Sequence, residues 1–257
     1  MNQDWVLFTR YYEDGSVGAL MTDLQFKEEI PGPSTHWVAA RVELRSPTDD
    51  GLISPDEINA FQNFDQALFD GLTEAGVKYV GRIVLAGSVT AYGYGTVKRE
   101  KLADISEQLL GTHGYDLTWA QEEDLDYQRY MNELYPTHSE WRTIGDQHLI
   151  VALEDAGFDL SNPTTISHWT FLPTLDAAEL FAEWAQENGF AMTGIDEPDD
   201  ASEELWCVRL SHVDVPSLEF LGRKTILLDA KARELEGSYD GWEVGVEESN
   251  DDGEAVM

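Results

Sequence analysis

Six histidines are the side chains best suited to proton transfer or metal binding near neutral pH, and they are scattered along the 257 residues of the chain. No two of them have the i, i+4 spacing of a helical metal pair or the Cys/His spacing of a zinc site. His168 and His212 lie on strands predicted to be neighbours in one sheet, so the two rings could approach each other. We interpret them as structural groups, and the sequence predicts no metal site.

Three other segments resemble chemical motifs only in part. Residues 46–57 share spacing with a calcium-binding loop, but Ser46 replaces its first ligand, and Ser54 with Glu57 instead predicts a capping box. The glycine-rich run 91–96 lacks the lysine of a phosphate-binding loop and is better explained as a twisted strand. Cys207 lies between apolar residues and has no nearby base, so we expect a small buried thiol and not a nucleophile. The sequence therefore predicts no catalytic residues and no cofactor, so we expect a protein that is not an enzyme.

Charge is the strongest signal of the composition. The chain has 50 Asp and Glu against 16 Lys and Arg, a formal charge of -34. Such a charge repels nucleic-acid phosphate and anionic lipid and attracts basic protein surfaces. Adaptation of a soluble surface to salt remains open as an alternative. The chain has no apolar stretch of about 20 residues and a single cysteine, so we expect a cytoplasmic protein without a membrane span.

The acidic excess is concentrated in the second half, where residues 139–257 carry 27 acidic and six basic residues. Two clusters stand out, one in a predicted loop and one in the tail. Like charges held together repel one another, and a cationic partner would relieve that repulsion. A solvated loop and a frayed terminus remain the alternative. The residues predicted to bind a basic partner are Asp196, Glu197, Asp199, Asp200, Glu203, Glu204, Glu247 and Glu248.

The order of predicted elements indicates two α+β domains. The pattern breaks near Pro136, which predicts domains at residues 1–138 and 139–257. The first domain opens with a hairpin over 4–12 and 17–26. In the second, a leading helix over 139–156 precedes the order β-α-β-β-α-β, with strands over 164–172, 190–195, 205–213 and 239–246 and helices over 174–188 and 216–235. This order predicts a ferredoxin-like split βαβ sandwich, with two helices on one face of a four-stranded antiparallel sheet.

The two helices of that sandwich each show an apolar stripe. Four apolar residues share one face of the first helix, and we expect this face to contact the sheet: Ala177, Leu180, Phe181 and Trp184. Phe220 and Leu227 lie off the stripe of the second helix. We interpret them as part of a wide core face, with an exposed patch for a partner as the alternative.

Four short runs stand out from about residue 139 onward: Ala156-Gly157-Phe158-Asp159 after the leading helix, Ile166-Ser167-His168 in the first strand, Gly189-Phe190 after a helix, and above all Tyr239-Asp240-Gly241-Trp242. In this arrangement the second half resembles the regulator of ribonuclease E activity B (RraB) family, small acidic bacterial proteins that bind and inhibit ribonuclease E. The resemblance implies the split βαβ fold and a regulatory role. The first half is similar to an uncharacterised bacterial domain sometimes joined to this one, through Asp126-Tyr127 and Leu134-Tyr135-Pro136, and this similarity implies no activity.

These observations favour a protein-binding regulator that inhibits or modulates ribonuclease E, or another RNA-processing enzyme, through its acidic surface. An enzyme or small-ligand-binding first domain, with the second as a regulatory appendage, is the alternative. It would require a concave pocket with converging polar groups such as His36, His113 or Tyr94. A structural protein whose sheets pair edge to edge is a third hypothesis.

Overall fold

The computed structural model describes residues 4–32, 34–198 and 205–244. The chain divides into two compact units, residues 1–140 and 141–257. Each unit has its own sheet and helices, which confirms the predicted α+β class. Within the described ranges, every helix is too short or too polar to cross a bilayer.

The first unit is built on one antiparallel sheet of six strands in the order β1-β2-β4-β5-β3-β6. Two helices, α1 and α2, a 3-10 helix over Leu24–Glu29 and a π-helical turn over Tyr130–Leu134 complete it. The predicted opening hairpin is confirmed. The bounds are β1 Trp5–Tyr11, β2 Val17–Asp23, β3 His36–Glu43, α1 Ile58–Glu74, β4 Lys78–Leu85, β5 Ser88–Tyr94, α2 Arg99–His113 and β6 Thr118–Glu123.

Both faces of this sheet are covered. The apolar stripes of α1 and α2 cover one face, and their spacing of three and four residues keeps side chains such as Phe64, Leu68 and Ile105 in one core. On the other face Phe26 stacks on Tyr94 at 5.1 Å and contacts further tyrosines of the segment that follows β6. Because so many aromatic rings are buried on both sides, this unit has a large core.

The glycine-rich hairpin β4–β5 confirms the strand interpretation of residues 91–96. A Cβ at Gly93 would lie 2.6 Å from Val77 Cγ1, so the strand passes too close to its neighbour for a side chain. Gly81 has φ +155° at a bulge in β4, where a Cβ would lie 2.5 Å from the Met21 carbonyl oxygen. Gly81 and Gly93 therefore allow the backbone of this hairpin to pack closely against neighbouring segments.

The predicted capping box at Ser54 and Glu57 is wrong. The buried Glu57 carboxylate accepts hydrogen bonds from the backbone N–H of Arg45 (2.9 Å) and Ser46 (2.8 Å) and from the Tyr115 hydroxyl (2.7 Å). Burial alone would raise the pKa of Glu57, but these donors outweigh it and hold the pKa below its ordinary value. The same carboxylate therefore fastens the 45–57 loop to the core.

The second unit has the predicted order β-α-β-β-α-β after a leading helix. Its antiparallel sheet has the strand order β10-β7-β9-β8, which confirms the ferredoxin-like split βαβ sandwich. The bounds are α3 His138–Asp155, β7 Thr164–Leu172, α4 Leu175–Glu187, β8 Ala191–Asp196, β9 Trp206–Asp214, α5 Leu218–Glu234 and β10 Ser238–Val244.

The helix faces differ from the prediction in detail. In α4 the face on the sheet consists mainly of small residues such as Ala178 and Ala182, and Leu180 is 56% exposed. In α5, Phe220 and Leu227 are 49% and 41% exposed, so their assignment to a wide core face is wrong. Each helix has one sheet surface to contact, and a single narrow stripe is enough to cover it.

Candidate functional site

The predicted acidic loop begins at the end of β8. Asp196 is exposed and accepts a hydrogen bond from Arg209 Nη2 at 3.0 Å, and Arg209 Nε lies 2.7 Å from Asp196 Oδ2 in the same ion pair. Glu197 follows it and is also exposed. The pair with Arg209 partly neutralises Asp196, so Glu197 is the less compensated charge of the two. The other six predicted partner-binding residues lie outside the described residues: Asp199, Asp200, Glu203, Glu204, Glu247 and Glu248.

The strand register separates the two acidic segments. Asp196 pairs with Cys207, which in turn pairs with Phe171 near the end of β7. Val244, after which the acidic tail begins, pairs with Ile166 near the start of β7. With about 3.3 Å per residue and 4.8 Å per strand, the two starting points are roughly 20 Å apart. Asp196 and Val244 therefore lie at opposite ends of the sheet, on opposite edge strands.

One face of this sheet is not covered by α4 and α5, whose buried residues pack on the other face. Near the β10 edge of the uncovered face, Trp169 lines a groove with Arg142 and Leu149 of α3. Along β7 the side chains alternate, with Ile166 and His168 fully buried on the helix side and Trp169 and Phe171 only half-buried on the other. Val213 of β9 shares that second face and is 67% exposed. Aromatic side chains on a solvent-accessible sheet face, with Asp196 at its rim, are typical of a protein-binding surface.

The two strand histidines do meet, as the sequence suggested they could. His168 Nε2 lies 2.9 Å from His212 Nδ1, and His168 Nδ1 lies 2.7 Å from the Tyr239 hydroxyl. Burial lowers the pKa of His168 to about 3 and that of His212 to about 4. For His168, the charge that His212 would carry lowers the pKa further. Both rings are therefore neutral at physiological pH. In the described parts of the chain, no three His, Cys, Asp or Glu side chains come together as metal ligands.

A buried carboxylate that sequence reasoning missed joins α3 to the rest of the second unit. Asp146 accepts hydrogen bonds from the Trp242 indole N–H (2.9 Å) and the Thr225 hydroxyl (2.5 Å). Burial raises its pKa, although both donors oppose that effect. Arg142, one turn earlier, donates to the backbone carbonyl of Tyr239 at 2.8 Å. The only signal in the sequence was the acidic Asp146 within the predicted helix, and in so acidic a chain it cannot be distinguished from exposed carboxylates.

The Tyr-Asp-Gly-Trp run now has a physical role. The register of β10 against β7 shifts between Tyr239 and Gly241, so the run contains a bulge. Tyr239 and Trp242 both point into the buried side, where Tyr239 meets His168 and Trp242 meets Asp146. The run thus fastens the last strand to two buried polar groups.

The polar groups proposed for a pocket in the first unit do not converge. Tyr94 is buried and donates its hydroxyl to Asp124 at 2.6 Å. His113 ends α2, with its ring against Phe64. His36 alone of the three lines the main groove of this unit, a volume of about 1000 Å³ between α2 and β6.

The comparisons with known proteins assign both halves of the chain. The model of a family of unknown function, DUF695, matches residues 3–135. The chain belongs to the DUF695 family. Residues 143–244 match the family described as Regulator of ribonuclease activity B, which confirms the resemblance to RraB and makes the second unit an RraB domain. The RraB family is regulatory, and its description gives the coarse role, regulation of ribonuclease activity.

Other comparisons add little to these domain assignments. No curated protein matches the chain. Among solved structures, a candidate glycine cleavage system transcriptional repressor has 11% identity and a TM-score of 0.26, covering 83% of this chain and 100% of its own. A protein of unknown function from Galdieria sulphuraria has 9% identity and a TM-score of 0.23, covering 83% and 99%. At such TM-scores neither likeness informs fold or function.

Proposed function

We propose that this DUF695–RraB protein is a non-catalytic regulator that binds ribonuclease E, or a related RNA-processing enzyme, in the cytoplasm and inhibits or modulates it. The observation that carries the proposal is the RraB match, which contains the whole βαββαβ unit of the second domain. The chain's charge of -34 disfavours direct contact with RNA, so the target is the protein component of the RNA-processing machinery.

The proposed mechanism has two steps. Acidic residues of the RraB domain attract a basic segment of the enzyme over long range and increase the association rate. The half-buried Trp169 and Phe171 are then covered by apolar side chains of the partner. Covering their remaining exposed apolar surface stabilises the complex by roughly 25 cal/mol per Å², before the costs of association. Charge thus governs encounter, and the aromatic pair governs the lifetime of the complex.

The buried chemistry of the RraB domain supports a binding role. The two histidines are held neutral and bond to each other and to Tyr239. Cys207 is half-buried beside Phe171, so its prediction as a buried thiol is wrong. Partial burial raises the pKa of this thiol, which favours the less nucleophilic protonated form. The histidines and Tyr239 stabilise the fold, and the accessible face of the sheet is left for a partner.

Binding of the purified full chain to purified ribonuclease E tests this proposal. The complex should weaken steeply as salt is added, and charge reversal at Glu197 should lower the association rate. Replacing Trp169 by alanine should mainly raise the dissociation rate. The matched controls are Glu187→Lys and Leu180→Ala, exposed positions on α4, on the helix side of the sheet. Binding that does not depend on salt and is unchanged by charge reversal at Glu197 and by Trp169→Ala would contradict the proposal.

The alternative, a catalytic or small-ligand-binding first domain, has one observation in its favour. The groove between α2 and β6 is large and includes His36. However, Tyr94 and His113 do not line it, so the three polar groups named for a catalytic set do not meet in this groove. The groove fits a binding surface better than an active site.

A further inference from the structure

The DUF695 domain has an apolar groove beside the last strand of its sheet. Its floor is formed by Leu102, Ala103 and Leu110, which follow one face of α2, and by Trp119 of β6. The Trp119 indole N–H donates to Ser106 at 2.7 Å, which fixes the ring against the helix. Leu110 is 48% exposed even though it lies on this floor. An exposed leucine beside a fixed tryptophan offers a contact surface that solvent alone covers poorly.

The groove runs along a free sheet edge. β6 is the terminal strand of the sheet and pairs with β3 on one side. Asp124 N–H donates to the Thr35 carbonyl, so by antiparallel alternation the backbone groups of residues 122, 120 and 118 also face β3. The N–H and C=O groups of Trp119, Gln121 and Glu123 then face away from β3. Such an edge is a template for one more strand.

The charges that line the groove are mainly acidic. Glu107 of α2, Asp116 before β6, and Glu122 and Glu123 on β6 face a single arginine, Arg99. All four carboxylates belong to the same concave surface as the apolar floor. A cationic occupant is therefore favoured, and an anionic one is disfavoured.

We propose that this groove binds an extended peptide segment of a partner protein, with basic and apolar side chains in alternation, as an added strand on β6. On the α2 side, alternate side chains of the peptide would contact Leu102, Leu110 and Trp119. On the opposite side, they would lie beside Glu122, where a lysine or arginine is favoured. The five residues from Trp119 to Glu123 span about 13 Å, enough for four or five peptide residues.

Charge also disfavours the chain itself as the occupant. Residues 245–257 contain five acidic residues and no lysine or arginine, so the tail is repelled by the groove. A second copy paired through its own β6 would place a second set of the same acidic lining residues beside this one, and like charges across strands are destabilising. A basic segment of another protein satisfies both the open edge and the acidic lining. This inference concerns the DUF695 domain and does not depend on what the RraB domain binds.

A labelled peptide of about six residues, alternating lysine and leucine, tests the proposal by titration with the full chain. Glu107→Lys should weaken binding about 5-fold, and Leu110→Ser about 10-fold. Glu100→Lys is the matched control, because Glu100 lies on the same helix but outside the groove, and it should change the affinity less than 2-fold. Glu197→Lys in the RraB domain should have as little effect, which separates this site from the surface proposed above.

Amide hydrogen exchange supplies a second readout that does not depend on charge alone. Bound peptide should slow exchange at Trp119, Gln121 and Glu123, whose N–H groups face outward, and leave residues 120 and 122 unchanged. A peptide of the same composition with its lysines and leucines in separate blocks should bind at least about 10-fold more weakly. Equal binding of the two peptides, an equal effect of Glu100→Lys and Glu107→Lys, or no protection along β6 would overturn the proposal.

Discussion

The buried histidine pair should make the RraB domain lose stability as the pH falls below the ordinary histidine value. In the folded domain the pKa of His212 is lowered from 6.5 to about 4 and that of His168 to about 3. The unfolded chain therefore binds more protons than the folded one between these values and pH 6.5, so the free energy of unfolding falls as the pH falls through that window. The main cause is burial, which disfavours the charged imidazolium, and a second proton on either ring would also place two N–H groups face to face across the 2.9 Å contact.

The size of the effect follows from the same values. At pH 5, about 1.5 units below the unfolded pKa, each histidine costs roughly 2 kcal/mol, or roughly 4 kcal/mol for both. His212→Asn removes one of the two titrations. Urea unfolding of the wild type and this variant, followed by tryptophan fluorescence, should show a stability difference that changes by about 2 kcal/mol between pH 7.5 and pH 5. Titration of the many carboxylates cancels in this difference.

His148→Asn is the matched control, because His148 is exposed on α3. Its stability difference from the wild type should stay constant over the same pH range within about 0.5 kcal/mol. If His212→Asn also showed a constant difference, the histidine pair would not be held neutral by the fold, and the reasoning about its burial would be refuted. Lys224 and Asp214, which act on His212 from α5 and the end of β9, are unchanged in both variants.

Substitutions at three further sites, Glu57, Asp146 and Gly81, test the packing. Glu57→Gln should lower the free energy of unfolding by about 2 kcal/mol at pH 7 and by less at pH 3, because the stabilisation by this low-pKa carboxylate is present above its unfolded pKa and is lost as the pH falls through the folded value. Urea unfolding at the two pH values measures this, and equal losses would contradict it. Asp146→Ala should destabilise the RraB domain by about 2–4 kcal/mol because it leaves the buried Trp242 indole N–H without its acceptor, and Asp146→Asn should destabilise it by less. Equal losses in chemical denaturation would argue against that hydrogen bond. Gly81→Ala should cost more than about 2 kcal/mol, whereas the matched helical Gly111→Ala, with open space for a Cβ, should stabilise by up to about 1 kcal/mol; thermal melts that rank them the other way would exclude strain at Gly81.

The repeating patterns of the sequence predicted the fold well. In the RraB domain the predicted strand over 164–172 matches β7, and the predicted helices over 174–188 and 216–235 correspond to α4 and α5. Periodicity works here because each element has one buried side. It failed for Phe220 and Leu227, since hydrophobicity alone does not tell how wide a face the neighbouring sheet can cover.

Long-range polar contacts were harder to predict. Glu57 was assigned to a local capping box, but its partners are the Arg45 and Ser46 amides and the distant Tyr115 hydroxyl. Asp146 could not be told from the exposed carboxylates, because only the folded arrangement brings Trp242 to it. The meeting of His168 and His212 was foreseen because strand adjacency follows from topology, whereas helix contacts such as that of Asp146 do not.

The acidic partner-binding residues stay a prediction. The structure describes Asp196 and Glu197, and the register places Asp196 and Val244 at opposite ends of the sheet. The sequence did not single out the half-buried Trp169 and Phe171, because the strand pattern does not reveal which face a helix covers. Their accessible face is recognised only from the packing of α4 and α5 on the other side.

The most direct test of a non-catalytic ribonuclease regulator is the rate of RNA cleavage by purified ribonuclease E with increasing amounts of the full chain. The account predicts a saturable change in that rate, with complex formation that is strong at about 50 mM salt and largely lost at about 500 mM. The Trp169→Ala variant should need a higher concentration than the Leu180→Ala control to reach the same effect. A cleavage rate that does not respond to the wild-type chain at any concentration, with no complex at low salt, would contradict it.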